Sequence, residues 1–291
     1  MSFLTTPVSI RVPASSANLG PGFDALGLAL SLHDELTAEV IPDGLEIIVS
    51  GEGAKGVPLN AEHLVVEAMH ATFDLLGERP EGLRLTCVNQ IPHGRGLGSS
   101  AAAIVGGIAL ARALVVGAEG RLDDRAAFQL AVDLEGHPDN VAAAMFGGLT
   151  IAWIDGASAE VERIDSDVEV TVFVPPVAVS TERARGLLPE TVPHRDAAVN
   201  AGRAALLIVA LTGSPERLIS ATEDRIHQSY RADAMPESYK LLRQLRVDGI
   251  PTIISGGGPT VLSFARGIAD RAPEGWTTHE LSVDSDGVRG V

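Results

Sequence analysis

Apolar and polar positions alternate over residues 8–13, and apolar runs return at 25–32, 36–41 and 45–49, which reads as short strands. Between the first two lies a polar, glycine-containing loop at 14–24, and Pro42, Asp43 and Gly44 join the last two as a turn. Residues 62–76 carry apolar side chains at helical spacing, and 83–88 is a further strand. A loop at 92–98 leads into an alanine-rich helix at 99–116, whose Ile104, Val105, Ile108, Leu110 and Leu114 predict a buried element that packs closely. Helix continues at 125–134, Gly and Pro interrupt it at 135–140, and 149–154 returns to strand. The second half predicts strands at 170–174, 251–254, 260–264 and 276–283. Helices are predicted at 181–188, 197–211, 215–221 and 236–247, the last opened by proline.

Strands that are sometimes adjacent and sometimes separated by helices favour α+β layers over a doubly wound parallel sheet. A chain of 291 residues suits two domains. The polar, acidic stretch 155–167 places their boundary, giving units 1–160 and 161–291. Apolar residues at 45% and charged residues at 21% describe an ordinary globular chain.

Charge narrows the partners. A formal net charge of -16 argues against nucleic acid and anionic membrane, which bind through clustered Lys and Arg. Lys55 and Lys240 are the sole lysines, so a phosphate site would be built from backbone N–H groups, arginine or a metal ion. The lone Cys87 excludes an internal disulfide framework and a cysteine zinc site. With no basic segment followed by an apolar run at the N-terminus, a cytoplasmic enzyme is the expectation.

The segment Pro92-His93-Gly94-Arg95-Gly96-Leu97-Gly98-Ser99-Ser100-Ala101-Ala102 carries the chemistry. Its glycines let backbone approach an anion, its serines can cap the next helix, and that helix aims unpaired N–H groups at a phosphate. By itself the segment could equally be a glycine-rich turn with Ser99 as an ordinary N-cap. It is neither a Walker loop nor a dinucleotide fingerprint.

Pro-x-x-x-Gly-Leu-Gly-Ser-Ser-Ala resembles the ATP loop of the GHMP kinases, the superfamily of galactokinase, homoserine kinase, mevalonate kinase and phosphomevalonate kinase. Residues 13–24 resemble the first motif of that family in its homoserine kinase form, and Ser255-Gly256-Gly257-Gly258-Pro259-Thr260 resembles the third. The resemblance implies that residues 92–102 wrap the phosphates of ATP, and that Ser100, sharing with Ser99, holds Mg2+ together with Glu135. It also implies a two-domain GHMP kinase fold, with an N-terminal domain like the second domain of a small-subunit ribosomal protein, a left-handed βαβ unit and a C-terminal ferredoxin-like domain. A homodimer is a further implication.

For the acceptor, L-homoserine, the resemblance implies that Arg185 and Arg231 clamp the α-carboxylate, a task that suits the guanidinium fork. Asn18, Asp24 and Thr181 fall on family substrate contacts, although alone Asp24 could be a turn residue and Thr181 an N-cap. In Glu135-Gly136-His137-Pro138-Asp139-Asn140, Asn140 stands where other GHMP kinases carry a catalytic aspartate, with His137 beside it and Asp139 as the rival base. A base is dispensable where alignment and charge neutralisation dominate phosphoryl transfer. Phosphorylation of L-homoserine, a step of threonine biosynthesis, is therefore expected. Other expectations are a mevalonate or diphosphocytidyl-methylerythritol kinase, or a ligand sensor without turnover.

Overall fold

The computed structural model describes residues 2–291, apart from the side chains of Thr181 and Glu182. Among the described residues, strands form a seven-stranded and a four-stranded sheet. The first contains β1 (Val8–Ala17), β2 (Leu26–Ile41), β3 (Gly44–Gly51), β4 (Gly82–Asn89), β5 (Leu149–Asp155), β6 (Ser158–Ile164) and β11 (Arg289–Gly290). Its main path runs β11-β1-β2-β4-β3, and the β5–β6 hairpin joins it through the first residues of β2. Helices α1 (Leu64–Leu76), α2 (Ser99–Leu114), α3 (Asp124–Glu135) and α4 (Pro138–Phe146) belong with this sheet, α2 packing on β1 and β2 with the other three around it.

Three local expectations change. The loop expected at 14–24 begins only after Ala17, because Ala14–Ala17 continue β1 past a register shift at Pro13 and pair with Gly27–Leu30. Ser15 and Ser16 are fully buried there, with partners remote in sequence, Asn140 and Ser255, that no local pattern reveals. The stretches 25–32 and 36–41 are one strand. Leu32, Asp34 and Leu36 all face inward, and Asp34 stays in register because its carboxylate accepts from the Gln90 and Ile91 amides. The turn at Pro42-Asp43-Gly44 does not make a hairpin. β4 lies between β2 and β3, antiparallel to the first and parallel to the second, so β3–α1–β4 is a βαβ unit.

Helix α4 was hidden behind apparent breakers. Gly136 is the left-handed C-cap of α3 (φ 87°), and Pro138 opens α4, where a missing N–H does no harm. The division expected at 160/161 falls inside β6, so the first layer extends to Ile164. Its last strand, β11, comes from the far end of the chain.

The second layer contains β7 (Glu169–Val174), α5 (Thr181–Arg185), α6 (His194–Thr212), α7 (Leu218–Ala221), α8 (Pro236–Val247), β8 (Thr252–Ile254), β9 (Val261–Ser263) and β10 (Thr277–Ser282). Strand order β10-β7-β9-β8, antiparallel throughout, is the 4-1-3-2 arrangement of a ferredoxin-like sheet. Its second crossover is reduced to a 3-10 turn at Ala269–Arg271. One apolar core runs through both layers, from Ile10 and Val12 to Leu262 and Leu281. Cys87 sits within it, and burial pushes its thiol up to about 12.

The chain end is tied back by Asp284, which accepts from Arg289, from the Gly287 amide at 2.8 Å and pairs with His33 at 2.6 Å. These donors outweigh the desolvation and hold its carboxyl down at about 2. Because the folded value lies below the unfolded one, the stabilisation is present above pH ~4 and fades as pH falls towards 2. Asp284→Asn should therefore lower stability by about 2–3 kcal/mol at pH 7, and the difference from the parent should shrink in urea melts near pH 2.

Candidate active site

The glycine-rich loop expected to hold phosphate connects β4 to α2. Gly98 is the N-cap of α2 in the left-handed conformation (φ 71°), and no side chain caps the helix. Neither serine acts as a cap. Ser99 and Ser100 are the first two helical residues, and the first intrahelical bond is from Ala102 N to Gly98 O. The preceding amides are left facing a cleft of about 220 Å³, where the helix dipole favours an anion.

The three glycine-containing motifs meet around this loop. A Cβ on Gly96 would sit 2.3 Å from the Ser255 carbonyl, and one on Gly98 would sit 2.0 Å from Ser15 Oγ. The Ser255 hydroxyl donates to Gly96 O at 2.6 Å and lies 2.8 Å from Ser16 Oγ. Thr260 N donates to Arg95 O and Ser15 N to Leu97 O, so the loop rests on backbone from both layers.

Ser100 Oγ donates to Glu135 Oε1 at 2.7 Å, bringing the end of α3 against the start of α2. Burial raises the Glu135 pKa, with the Ser100 bond opposing it. One hydroxyl and one carboxylate beside a phosphate cradle are hard oxygen donors of the kind Mg2+ uses together with substrate phosphates, so these residues fit that ion.

At the start of α4, Asp139 is 1% exposed, and its Oδ1 takes both His137 Nδ1 at 2.8 Å and the Asn140 amide at 2.9 Å. The Asp139 bond raises the His137 pKa. Asn140 accepts from Ser15 Oγ at 2.9 Å, which turns its amide nitrogen away from Ser15, and both Asp139 and Asn140 line the cleft.

Across the cleft, Arg185 makes a two-pronged pair with Asp24 at 2.6 and 3.0 Å. Arg231 is 2% exposed, its Nε has no partner, and burial lowers its pKa, as does the neighbouring Arg185 charge. Both guanidinium groups lie over the Phe23 ring, 5.5 and 5.1 Å from its centre. A buried guanidinium with an unpartnered Nε, beside a second cation, is a place prepared for an anion.

Asn18 donates to Gly256 O and accepts from Asp24 N, so much of its amide is spent holding the loop, where Asn18 and Asp24 both have positive φ. Beneath Arg231, His227 is buried, donates to Gly20 O at 2.5 Å, and has its pKa lowered chiefly by burial. The expected Thr181 contact lies outside the described residues; the α5 N-cap is Ser180, whose hydroxyl accepts from Arg183 N. Arg95 does not point at the anion site. Its guanidinium bonds the carbonyls of His93, Pro175 and Pro176.

Sequence reasoning missed Phe23 and His227, which no local pattern marks: His227 and Arg231 lie in an irregular turn between α7 and α8, joined by the bond from Arg231 N to His227 O. It also missed an apolar pocket of about 220 Å³ that shares Ser99 and Ser100 with the cleft. Asp34, His63, Asn89 and His93 line it; burial raises Asp34 to about 6, and His63 Nδ1 is buried without a partner.

With this geometry in view, comparison with known proteins is decisive. The family described as GHMP kinases N terminal domain matches residues 63–148. Homoserine kinase from Streptomyces avermitilis is 55% identical, over 98% of this chain and 96% of its own. That from Streptomyces coelicolor is 54% identical over 98% and 95%. The chain belongs to the homoserine kinase family. It is thus a kinase acting on an alcohol group with ATP as donor. The crystal structure of homoserine kinase from Cytophaga hutchinsonii, 23% identical, superposes with a TM-score of 0.83 over 100% of this chain and 99% of that one, which bears out the two-layer GHMP kinase fold. No described helix is long and apolar enough to cross a membrane.

Proposed function

We propose that this chain transfers the γ-phosphoryl group of ATP to the side-chain hydroxyl of L-homoserine, giving O-phospho-L-homoserine and ADP in threonine biosynthesis. The observation that carries it is the pair Arg185 and Arg231, with Asp24 beside them, on the far wall of a cleft that opens on the N-terminus of α2. An α-amino acid needs both signs of charge at one end, and a sugar or mevalonate does not.

The phosphates would lie on the amides of residues 94–101 and the base in the pocket lined by Asp34 and His63. The carboxylate would lie between the two arginines, drawing Arg185 partly off Asp24 and freeing that carboxylate for the ammonium group. Mg2+ held by Ser100 and Glu135 would supply positive charge against the transferring group. Asn140, set by Ser15, would orient the hydroxyl, whose proton has a phosphoryl oxygen as acceptor. Asp139 is engaged by His137 and its own helix, which supports a route without a protein base. A cytoplasmic homodimer completes this reading.

ADP release with L-homoserine, L-serine, L-threonine, mevalonate and galactose tests the acceptor. Turnover confined to L-homoserine is expected, and turnover on mevalonate or galactose would refute the assignment. For the route, Asn140→Ala should lower kcat about 100-fold with the acidic limb of the pH–rate profile unchanged. Loss of that limb in Asp139→Asn alone would make Asp139 the base.

A further inference from the structure

Arg95 is a charged residue in the middle of the glycine-rich loop whose side chain is turned away from the cleft. Its Nη1 donates to His93 O at 2.6 Å, its Nη2 to Pro176 O at 2.7 Å and its Nε to Pro175 O at 3.0 Å. The fork thus closes its own loop and reaches across to the other layer. Val179 N adds a bond to Gly94 O at 3.1 Å, and a Cβ on Gly94 would be only 3.3 Å from Ala178. Among the described residues, the hydrogen bonds of residues 175–179 all run to Gly94 and Arg95.

That segment has consequences at both ends. It leaves β7 at Val174 and enters α5, a five-residue helix that carries Arg185 to Asp24. Pro175 and Pro176 lend it carbonyls but no N–H groups, so its anchorage depends on a donor brought from elsewhere. Arg95 supplies that donor from the loop whose amides face the phosphate site. Any shift of the loop on filling is therefore passed to the segment that holds Arg185.

We propose that Arg95 is a positioning residue that couples nucleotide occupancy of the phosphate loop to the placement of Arg185 on the acceptor side. The kinetic half of this proposal rests on the homoserine reading; the structural half does not. The planar fork matters because the three carbonyls are met by three separate nitrogens held apart in one plane, whereas the donors of lysine all sit on a single nitrogen.

The first test is hydrogen exchange in peptides covering residues 175–188, with and without magnesium and the β,γ-imido analogue of ATP. The parent protein should show slower exchange there on adding the analogue, and Arg95→Ala should lose that response. The second is steady-state kinetics. Arg95→Ala should raise the KM for L-homoserine about tenfold while the KM for ATP stays within about twofold, with Arg95→Lys in between. Retained analogue-dependent protection in Arg95→Ala would overturn the coupling. An ATP KM rising as much as that of homoserine would instead make Arg95 a phosphate ligand. A lower melting temperature with both KM values unchanged would reduce it to a structural tie. If Arg95→Ala does not fold, Arg95→Gln carries the same readouts. Absence of homoserine turnover by the parent would sink the acceptor reading and leave exchange to decide the coupling.

Discussion

Arg231→Ala is expected to raise the KM for L-homoserine by roughly 100-fold while changing the KM for ATP by less than about threefold, because a charge-assisted bond to a buried carboxylate contributes about 2–4 kcal/mol. The guanidinium is buried, its Nε is unpartnered, and its one clear carbonyl contact, Gly256 O at 3.3 Å, is long. Its charge is therefore carried at a cost that an incoming anion relieves. Arg185→Ala should be milder for the carboxylate, since that group is half-exposed and already paired, but it frees Asp24 and should loosen the α5 segment. Arg231→Lys keeps the charge without the fork and should recover only part of the loss. Equal rises in both KM values for Arg231→Ala would show that the residue holds the cleft together rather than binding acceptor. A melting curve separates that case, because truncation over Phe23 and His227 also removes packing.

Gly96→Ala should reduce kcat/KM for ATP by at least about 100-fold, since displacing a phosphate cradle by about 1 Å is enough for such a loss. Two features act together there. The backbone is left-handed (φ 76°), which a side chain disfavours by about 1–2 kcal/mol, and the added Cβ would meet main-chain atoms of Ser255 and Gly258 at 2.3 to 3.0 Å. Neither neighbour can rotate away, because Ser255 is itself hydrogen-bonded to Gly96 O. The loop and the third motif must move apart, and nucleotide binding measured with a fluorescent ATP analogue should fall in step with turnover. A variant that binds the analogue normally would refute the close approach as a requirement for the cradle. Gly136→Ala is the contrast: its φ is also positive (87°), but no atom crowds its Cβ position, so it should affect stability modestly and nucleotide binding little.

Much of the site was legible because its chemistry is written in short, contiguous runs. Residues 92–102 carry the glycine and serine pattern of the GHMP kinase ATP loop, and no Gly-x-x-x-x-Gly-Lys-Ser/Thr run occurs in the chain. The positions of α1, α2, α3, α6 and α8 and of β4, β5 and β7 followed from periodicity to within a few residues, since each has an apolar face that its own sequence defines. Two of the misjudged stretches, in β1 and β2, share one cause. Asp34 interrupts the apolar pattern of β2, and Ser15 and Ser16 make the end of β1 look like loop. All three are polar residues buried against partners remote in sequence.

The sequence by itself determined most of the element types and the family of the chain, because periodicity and each motif depend on residues within about a turn or two of one another. Tertiary structure alone decided that β4 inserts between β2 and β3 and that the chain end returns as β11. It alone brought Arg185 and Arg231 together over Phe23 and turned Arg95 away from the cleft onto Pro175 and Pro176. Each of these is a pairing across tens of residues or more, set by which buried polar group finds which partner as the layers close. That choice belongs to the packed whole, since no local stretch contains both halves of the contact.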